Sequence, residues 1–250
     1  MRVARVQVEA PVTSFRYPHF LIARQASFDM PPPSTIYGHV ASALGELPPP
    51  AAFRFAYNFT FVARASDLEH QHVITAGGRS FDAAGRKRRT SVRARVQPHL
   101  RDFLFRPRLT LYLDPPDLAA AFRRPAFCVV LGRSQDLAEI VRVDEIELEQ
   151  RTGAYLENTL LPFSFRASVG FGVTMLMPRY IEPPPERRAH FERYIVLHDR
   201  VFGGTVTSAE ALGPRRILMR DGTDPVWWVD TSTPEYHGVY RGVVFHCCAE

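Results

Sequence analysis

The segment at residues 53–62 constrains the fold of this 250-residue chain more than any other. Aromatic residues occupy every second position from Phe53 to Phe61, and polar or smaller residues alternate with them. Successive side chains of a β-strand point to opposite faces, so all the rings of this segment would lie on one side. The pattern predicts a strand whose aromatic face belongs to the core.

Other segments predict an alternating order of strands and helices around that strand. Residues 2–10 alternate as a half-buried strand, residues 33–45 carry apolar side chains at helical spacing, and residues 103–113 indicate another strand. A short helix is predicted at 117–123, and the apolar run at 126–131 predicts a buried central strand. The resulting order, strand–helix–strand–strand–helix–strand, is that of a ferredoxin-like βαββαβ unit in an α+β protein.

The predicted first helix follows three consecutive prolines, and Ser34 after them is expected to cap it. Beyond residue 150 the segments 167–177, 194–201, 217–219, 226–229 and 239–245 indicate further strands. We therefore predict a first region at residues 1–150 and a β-rich C-terminal region at 151–250, with a boundary near residues 149–153.

Positive charge is concentrated in one part of the chain. The net charge is +5, but residues 79–108 alone carry +8 and the rest of the chain carries −3. This stretch overlaps residues 65–100, a connection between the second and third predicted strands that far exceeds the usual hairpin loop of about 2–5 residues. We interpret it as a protruding basic β-hairpin inserted at about 66–99, which would attract a polyanion such as nucleic acid.

Several classes of protein are excluded or disfavoured. The sequence contains no apolar run of 18 residues and no secretory signal pattern at its start, so neither a membrane span nor export is expected. The cysteines Cys128, Cys247 and Cys248 suit neither a disulfide framework nor a zinc site. Motifs of nucleotide-binding proteins and hydrolases are missing. We predict a cytoplasmic protein with no cofactor, no metal site and no membrane contact.

Three groups of residues are candidates for binding RNA: basic side chains, the start of the predicted helix, where free N–H groups favour phosphate, and aromatic residues that could stack on bases. Among the aromatic residues Phe15, Tyr17, Phe20 and Phe28, at least two are expected to be core. The candidate RNA-binding residues outside the loop at 132–134 are Arg16, Tyr17, Arg24, Ser34, Thr35, Tyr37, Gly38, His39, Arg79, Arg86, Lys87, Arg88, Arg89, Arg93 and Arg95.

A catalytic alternative stays open. A metal-independent ribonuclease needs a general acid and base close to a cationic group. Tyr37, His70 and His72 are the candidates, since the two histidines lie at the base of the basic insertion.

Two motifs resemble the CRISPR-associated protein 5 family, whose members are RAMP-type subunits of type I Cascade complexes. The first covers residues 32–46 and reads PPSTIYGHVASALGE, which is similar to the first helix of that family. The second covers residues 130–135 and reads VLGRSQ, which resembles a strand followed by a Leu-Gly-Arg loop. Spacing and element order agree over about residues 1–150, and type I-B is the most similar branch.

The resemblance implies a protein that caps the 5′ handle of the guide RNA (crRNA). A ferredoxin-like palm would hold the handle through residues 34–39 and through the loop of Gly132, Arg133 and Ser134. The insertion around residues 79–95 would be a thumb that displaces a nucleotide at the junction with the first backbone subunit. Implied partners are the crRNA, the Cascade backbone and large subunits, the subunit that processes the crRNA, and target DNA within the complex.

One branch of the family, in type I-C systems, cleaves precursor RNA with Tyr, Lys and His. Here Lys87 is the only lysine, and no Lys-His pair exists. This departure favours a non-catalytic subunit over a nuclease. Contact of part of the basic surface with double-stranded DNA is a third alternative, and the acidic residues at 136–149 could face a neighbouring subunit or solvent.

Overall fold

A computed structural model describes residues 1–18, 24–75, 80–81, 87–88, 93–206, 215–217 and 226–249. The described elements are, in chain order, β1 (Arg2–Glu9), β2 (Val12–Thr13), β3 (Phe15–Arg16), β4 (Arg24–Gln25), β5 (Ser27–Phe28), α1 (Pro33–Leu44), β6 (Arg54–Thr60), β7 (Ala63–Thr75), β8 (Ser80–Phe81), β9 (Lys87–Arg88), β10 (Arg93–Phe105), β11 (Arg108–Asp114), a 3₁₀ turn (Pro116–Leu118), α2 (Ala119–Arg123), β12 (Glu139–Glu147), β13 (Glu149–Arg151), β14 (Gly153–Leu156), β15 (Thr159–Pro162), a second 3₁₀ turn (Phe163–Ala167), β16 (Val173–Ile181), β17 (Ala189–Leu197), β18 (Val201–Gly204), β19 (Arg216–Ile217), β20 (Trp227–Asp230) and β21 (Arg241–Val243).

The largest sheet has seven antiparallel strands in the order β12-β1-β11-β6-β15-β17-β16. Its first four positions come from the N-terminal part of the chain, and β15, β17 and β16 are added from beyond residue 150. A second, six-stranded sheet follows the order β13-β20-β21-β14-β18-β19 and consists of C-terminal strands. The chain is thus an α+β protein that consists mostly of sheet.

The prediction of a buried strand at residues 126–131 is wrong. Apart from a single bridge between Val130 and Leu137, that segment is irregular, and Phe127 is 62% exposed. The position beside β1 is taken by β12, which pairs with it in antiparallel fashion. An apolar run without alternation does not distinguish a central strand from an apolar surface loop.

The core lies between the large sheet and the two helices. Phe55 and Phe59 of β6 are buried in one cluster with Ile36 and Val40 of α1 and with Phe122 of α2. The alternate side chains of the same strands, Val3, Ala56 and Tyr112, are buried on the opposite face together with Val243 of the second sheet. The aromatic stripe of residues 53–61 is therefore core, as its spacing predicts.

Helix α1 begins at Pro33 without a side-chain cap, so the prediction that Ser34 caps it is wrong. Pro32 is the capping residue, and its carbonyl accepts the N–H groups of Thr35 and Ile36. Proline at the first helical position has no N–H to satisfy and already has a helical φ, which weakens the need for a serine cap. The helix ends at Gly45, which has a φ of 83° and donates its N–H to Ala41.

A long hairpin connects β6 to β11. Strands β7 and β10 pair in register from Ala63 opposite Phe105 to Thr75 opposite Arg93. Because directly opposed residues share a face of an antiparallel pair, the even-numbered residues of both strands form one face (the even face) and the odd-numbered residues form the other (the odd face). Strands β2 and β4 extend this sheet at the base of the hairpin. The hairpin occupies the connection for which the sequence predicts a basic insertion.

Neither helix in the part of the chain that the structure describes has the length and apolar character of a membrane span.

Candidate nucleic-acid interface

The loop at residues 131–137 lies against the segment that joins β2 and β3. The Thr13 hydroxyl donates a 2.5 Å hydrogen bond to the carbonyl of Leu131. Gly132 has a φ of +91°, and a Cβ atom there would lie 2.5 Å from Thr13 Oγ1 and 2.7 Å from the Ser14 carbonyl. Only glycine fits this left-handed, crowded position without a shift of its neighbours.

Arg133 in this loop is held by a buried carboxylate. Its Nε and Nη2 donate to the two oxygens of Asp136 at 2.8 and 2.7 Å. This hydrogen bonding, together with the negative charges of Asp136, Glu69 and Asp67, raises the pKa of Arg133 above its usual value despite partial burial. The guanidinium therefore serves the loop itself, whereas the neighbouring predicted residue Ser134 is exposed.

The odd face of the hairpin base meets the same loop. Glu69 accepts a hydrogen bond from Gln135 at 3.2 Å and forms an ion pair with Arg101. Burial disfavours the ionised form of Glu69, but the hydrogen bond from Arg101 outweighs this effect and lowers the pKa of Glu69 below its usual value. These contacts join the glycine loop to the base of the hairpin.

The even face of the base has its own buried carboxylate, Asp102. It accepts hydrogen bonds from Ser66 at 2.6 Å and from Arg24 at 3.1 Å, while Ser14 donates to its backbone carbonyl at 2.7 Å. Burial opposes ionisation, but the bonds from Ser66 and Arg24 keep the pKa of Asp102 below its usual value. Arg24 keeps 64% of its side chain exposed in this pair, so part of its charge faces solvent.

The first turns of α1 divide the predicted residues between surface and core. Ser34 and Thr35 are half-buried, and Gly38 is exposed, with no atom within 4 Å of the position its Cβ would take. His39 is buried beside Phe122, and burial lowers its pKa to about 4.

Tyr37 is buried as well. Its ring contacts Phe53 and Tyr180, its hydroxyl donates to the carbonyl of Pro48, and burial raises its pKa to about 12. The side chains of Tyr37 and His39 thus belong to the core rather than to the surface of the helix.

Among the N-terminal aromatic residues, Phe15 and Phe28 are buried, which confirms that at least two are core. Tyr17 is half-buried and packs on Phe28 with ring centroids 4.5 Å apart. Arg16, which lies between Phe15 and Tyr17 in the sequence, is exposed, and Phe20 lies outside the described residues.

The basic residues of the insertion are described only in part. Arg95 is exposed on the odd face of β10. Lys87 and Arg88 belong to β9, and Arg93 begins β10, but the structure describes only their backbone. Arg79, Arg86 and Arg89 lie outside the described residues. A role of these side chains in RNA binding stays a prediction.

The structure separates the residues of the catalytic alternative. His70 and His72 are exposed on the even face of the hairpin, whereas Tyr37 is in the core under α1. Across the described ranges no three His, Cys, Asp or Glu side chains form a cluster suited to a metal ion.

Sequence reasoning missed the polar residues that build this region: Thr13, Ser14, Glu69, Asp102 and Asp136. They connect segments that are far apart in the chain, for example residue 14 with 102 and residue 69 with 135. No local pattern marks such partners, because their pairing depends on the folded arrangement.

The seven-stranded sheet, the inserted hairpin and the glycine loop at its base define a RAMP-like α+β protein. The chain matches the family described as CRISPR-associated protein (Cas_Cas5) over residues 4–181. It belongs to this family, as the motifs at residues 32–46 and 130–135 indicate. A search of curated proteins gave no match.

Several solved structures are similar to the chain. One, described as a CRISPR RNA-guided surveillance complex, has 14% identity and a TM-score of 0.50, with 80% of this chain and 90% of that chain covered. At this identity the likeness concerns the fold alone. A CRISPR protein from Archaeoglobus fulgidus has 13% identity, a TM-score of 0.41 and coverages of 80% and 87%. A chain of a Type III-B Cmr-beta complex has the same identity and TM-score, with coverages of 78% and 85%.

Proposed function

We propose that this protein is a non-catalytic RNA-binding subunit of a type I CRISPR effector complex that caps the 5′ handle of the crRNA. Its partners would be the crRNA, the backbone subunit, the large subunit, the crRNA-processing subunit and, within the complex, target DNA. Family membership supports a CRISPR function, and the sheet order β12-β1-β11-β6 supports a ferredoxin-like palm, since it is the fourth-first-third-second order of a βαββαβ unit.

The observation that carries the proposal is the hairpin of β7 and β10 in the connection that holds the basic excess. It would be the thumb of the proposed palm at residues 1–150. A hairpin of this length reaches about 40 Å from its base at a rise of about 3.4 Å per residue. The base is fixed on its even face by the buried carboxylate of Asp102 and on its odd face by the half-buried carboxylate of Glu69, so the hairpin is positioned rather than loosely attached. A fixed basic projection suits a single-stranded polyanion.

Helix α1 provides a second supporting observation. A glycine inside a helix lowers stability by about 1 kcal/mol relative to alanine. No atom lies within 4 Å of the position that a Cβ of Gly38 would take, so packing within the chain does not require glycine there. An open glycine beside Ser34 lets a ligand backbone approach the helix closely. This is consistent with the predicted role of residues 34–39 in holding the RNA handle.

The geometry gives the ribonuclease alternative little support. With a pKa of about 12, Tyr37 is a poor acid or base near neutral pH, and its hydroxyl already donates to Pro48. His70 and His72 lie on a face whose described neighbours in register, Val96 and Pro98, carry no charge. A cationic group that would stabilise the transition state is absent from that set.

The proposal is tested by incubating the protein with repeat-containing RNA in chelator and running native and denaturing gels. We expect a shift with intact RNA. The variant Arg88→Ala/Arg89→Ala/Arg95→Ala should bind more weakly, and its log–log salt slope should fall by about 0.7 for each lost phosphate contact. Unchanged affinity and slope in this variant would contradict a basic RNA-binding thumb.

A matched control variant removes the same number of positive charges from the surface around β12, the edge strand of the seven-stranded sheet. Arg2, Arg123 and Arg142 pair with Glu145 or Asp144 around β12, and the variant with all three replaced by alanine should keep RNA binding. A discrete RNA product that disappears in His70→Ala or His72→Ala would overturn the non-catalytic assignment and support the nuclease.

A further inference from the structure

The two faces of the β7–β10 hairpin differ in chemistry. On the odd face, Asp67 opposes Arg101, Glu69 opposes His99, Gln71 opposes Gln97, and Arg95 follows toward the tip. On the even face, Leu68 opposes Leu100, His70 opposes Pro98, His72 opposes Val96, and Ile74 opposes Ala94. No Asp, Glu, Lys or Arg occurs among these eight even-face residues.

The even face is also open. Ile74 is 70% exposed, Leu68 55%, Val96 52% and Leu100 48%. These side chains follow one another in register over about 20 Å of strand. A contiguous exposed apolar surface on a protein is typical of an interaction site rather than of a solvated surface.

At the base of the hairpin the even face is partly buried. Leu104 is buried, and Asp102 pairs with Arg24 and Ser66, so this part of the face is covered by the chain itself. From Leu68 outward, the described residues leave the face uncovered. A two-stranded hairpin is at best marginally stable alone, so an additional surface on this face would stabilise it.

We propose that the even face from Leu68 to Ile74 is a docking surface for an uncharged, apolar surface of a neighbouring protein subunit. The inference rests on the proposed function, in which the hairpin projects into a multi-subunit complex. The charge distribution favours a protein as the occupant, because phosphates bind cations and none of the eight even-face residues is Lys or Arg, whereas the odd face carries the exposed Arg95. The hairpin then presents one face to protein and leaves the other to RNA.

This assignment gives His70 and His72 a different role from the catalytic one. Their rings lie on the surface between Leu68 and Ile74, on the face opposite the ion pairs of the odd face. A permanent charge at either position would oppose docking, because an unpaired charge in an apolar interface loses its hydration.

The test compares two variants in the complete complex, co-expressed with the backbone subunit, the large subunit and crRNA. Ile74→Asp/Val96→Asp places charges on the even face, and Ile74→Thr/Val96→Thr removes apolar surface while keeping β-branched side chains that favour a strand. We expect recovery of the chain in the complex to fall about tenfold or more for the aspartate variant and less for the threonine variant. RNA binding by the isolated protein should stay within about twofold of wild type.

Arg95→Ala on the odd face is the matched control. It should weaken RNA binding by the isolated protein and leave association with the protein subunits in place. Recovery of the aspartate variant at the wild-type level would overturn the docking surface, and so would a loss of RNA binding equal to the loss of assembly. A large loss of thermal stability in the isolated threonine variant would also overturn it, because threonine keeps the strand propensity and such a loss would show that the chain itself buries this face.

Failure of the proposed function gives a different result. In that case the wild-type protein would bind no repeat RNA and would not enter the complex, whatever happens on the even face. A wild-type protein that binds RNA and assembles, with an aspartate variant that does both equally well, rejects only the docking surface.

Discussion

At the residue scale, glycine serves two different purposes. Gly132 adopts a left-handed φ in a crowded loop, where Thr13 and Ser14 fill the space a side chain would need. Gly38 lies in a helix with open space around it. The first glycine is required by the fold of the free chain, whereas the second weakens the helix and is not required by any contact among the described residues.

Alanine at these two positions should have opposite effects. Gly132→Ala is expected to destabilise the protein by about 1–3 kcal/mol, because it adds left-handed strain to a steric clash. Gly38→Ala should stabilise it by up to about 1 kcal/mol and weaken RNA binding. Thermal unfolding with parallel RNA titrations checks both. Stronger RNA binding by Gly38→Ala would contradict a close approach of RNA to α1.

At the element scale, the direction of the hairpin is set by contacts at its base rather than along its length. Asp102 joins β10 to β7 through Ser66 and to β4 through Arg24. Glu69 joins the opposite face to Arg101 and to the glycine loop through Gln135. Beyond these residues the described side chains of both strands are exposed or half-buried on both faces, so the contacts at the base set the orientation of the hairpin.

Asp102→Asn should destabilise the hairpin in a pH-dependent way. The folded protein keeps the pKa of Asp102 below its unfolded value. The ionised carboxylate therefore contributes stability above about pH 4, and this contribution is lost as the pH falls through the folded pKa. We expect the variant to lose about 1–3 kcal/mol at pH 7 and little at pH 2–3, measured by urea unfolding across pH.

Asp67→Asn provides the control on the neighbouring exposed position of β7. It should change stability by less than about 0.5 kcal/mol at either pH. An equal loss for Asp102→Asn at pH 7 and at acid pH would show that the carboxylate charge contributes nothing at the hairpin base.

At the scale of the whole molecule, the two large sheets are joined by a buried polar cluster as well as by apolar packing. Arg5 of β1 donates to Asp230 of β20 at 3.0 Å, and Tyr112 of β11 donates to the same carboxylate at 2.9 Å. Ser232 donates to the other oxygen of Asp230 at 2.6 Å. Burial opposes ionisation, but the bonds from Ser232 and Tyr112 lower the pKa of Asp230.

Removal of this carboxylate should weaken both sheets together. Asp230→Ala leaves a largely buried arginine with one fewer partner and is expected to cost about 3–5 kcal/mol. Asp144→Asn, which removes the more exposed partner of Arg5, should cost about 1 kcal/mol or less. Chemical unfolding followed by tryptophan fluorescence measures both, since Trp227 and Trp228 lie in β20. Equal small losses would mean that packing alone joins the sheets.

The sequence alone determined the elements whose side-chain period is regular over many residues. The aromatic stripe of β6, the apolar spacing of α1 and the alternation in β1 each identify their own structure, because burial of one face imposes the period. The two family motifs and the basic excess were equally local and indicated a CRISPR protein with an inserted hairpin. The apolar run at 126–131 has no period and gave a wrong strand, and Ser34 gave a wrong cap because Pro33 already begins the helix.

Only the tertiary structure decided which side chains face outward at the candidate interface. Tyr37 and His39 lie in the same motif as Ser34 and Gly38, yet the first two are core and Gly38 is exposed. Arg133 resembles a free RNA ligand in sequence but is held by Asp136 and faces Glu69. The two faces of the hairpin became distinct only once register paired residues from opposite strands. Each of these outcomes depends on contacts between residues distant in the chain, and a local pattern carries no information about such partners.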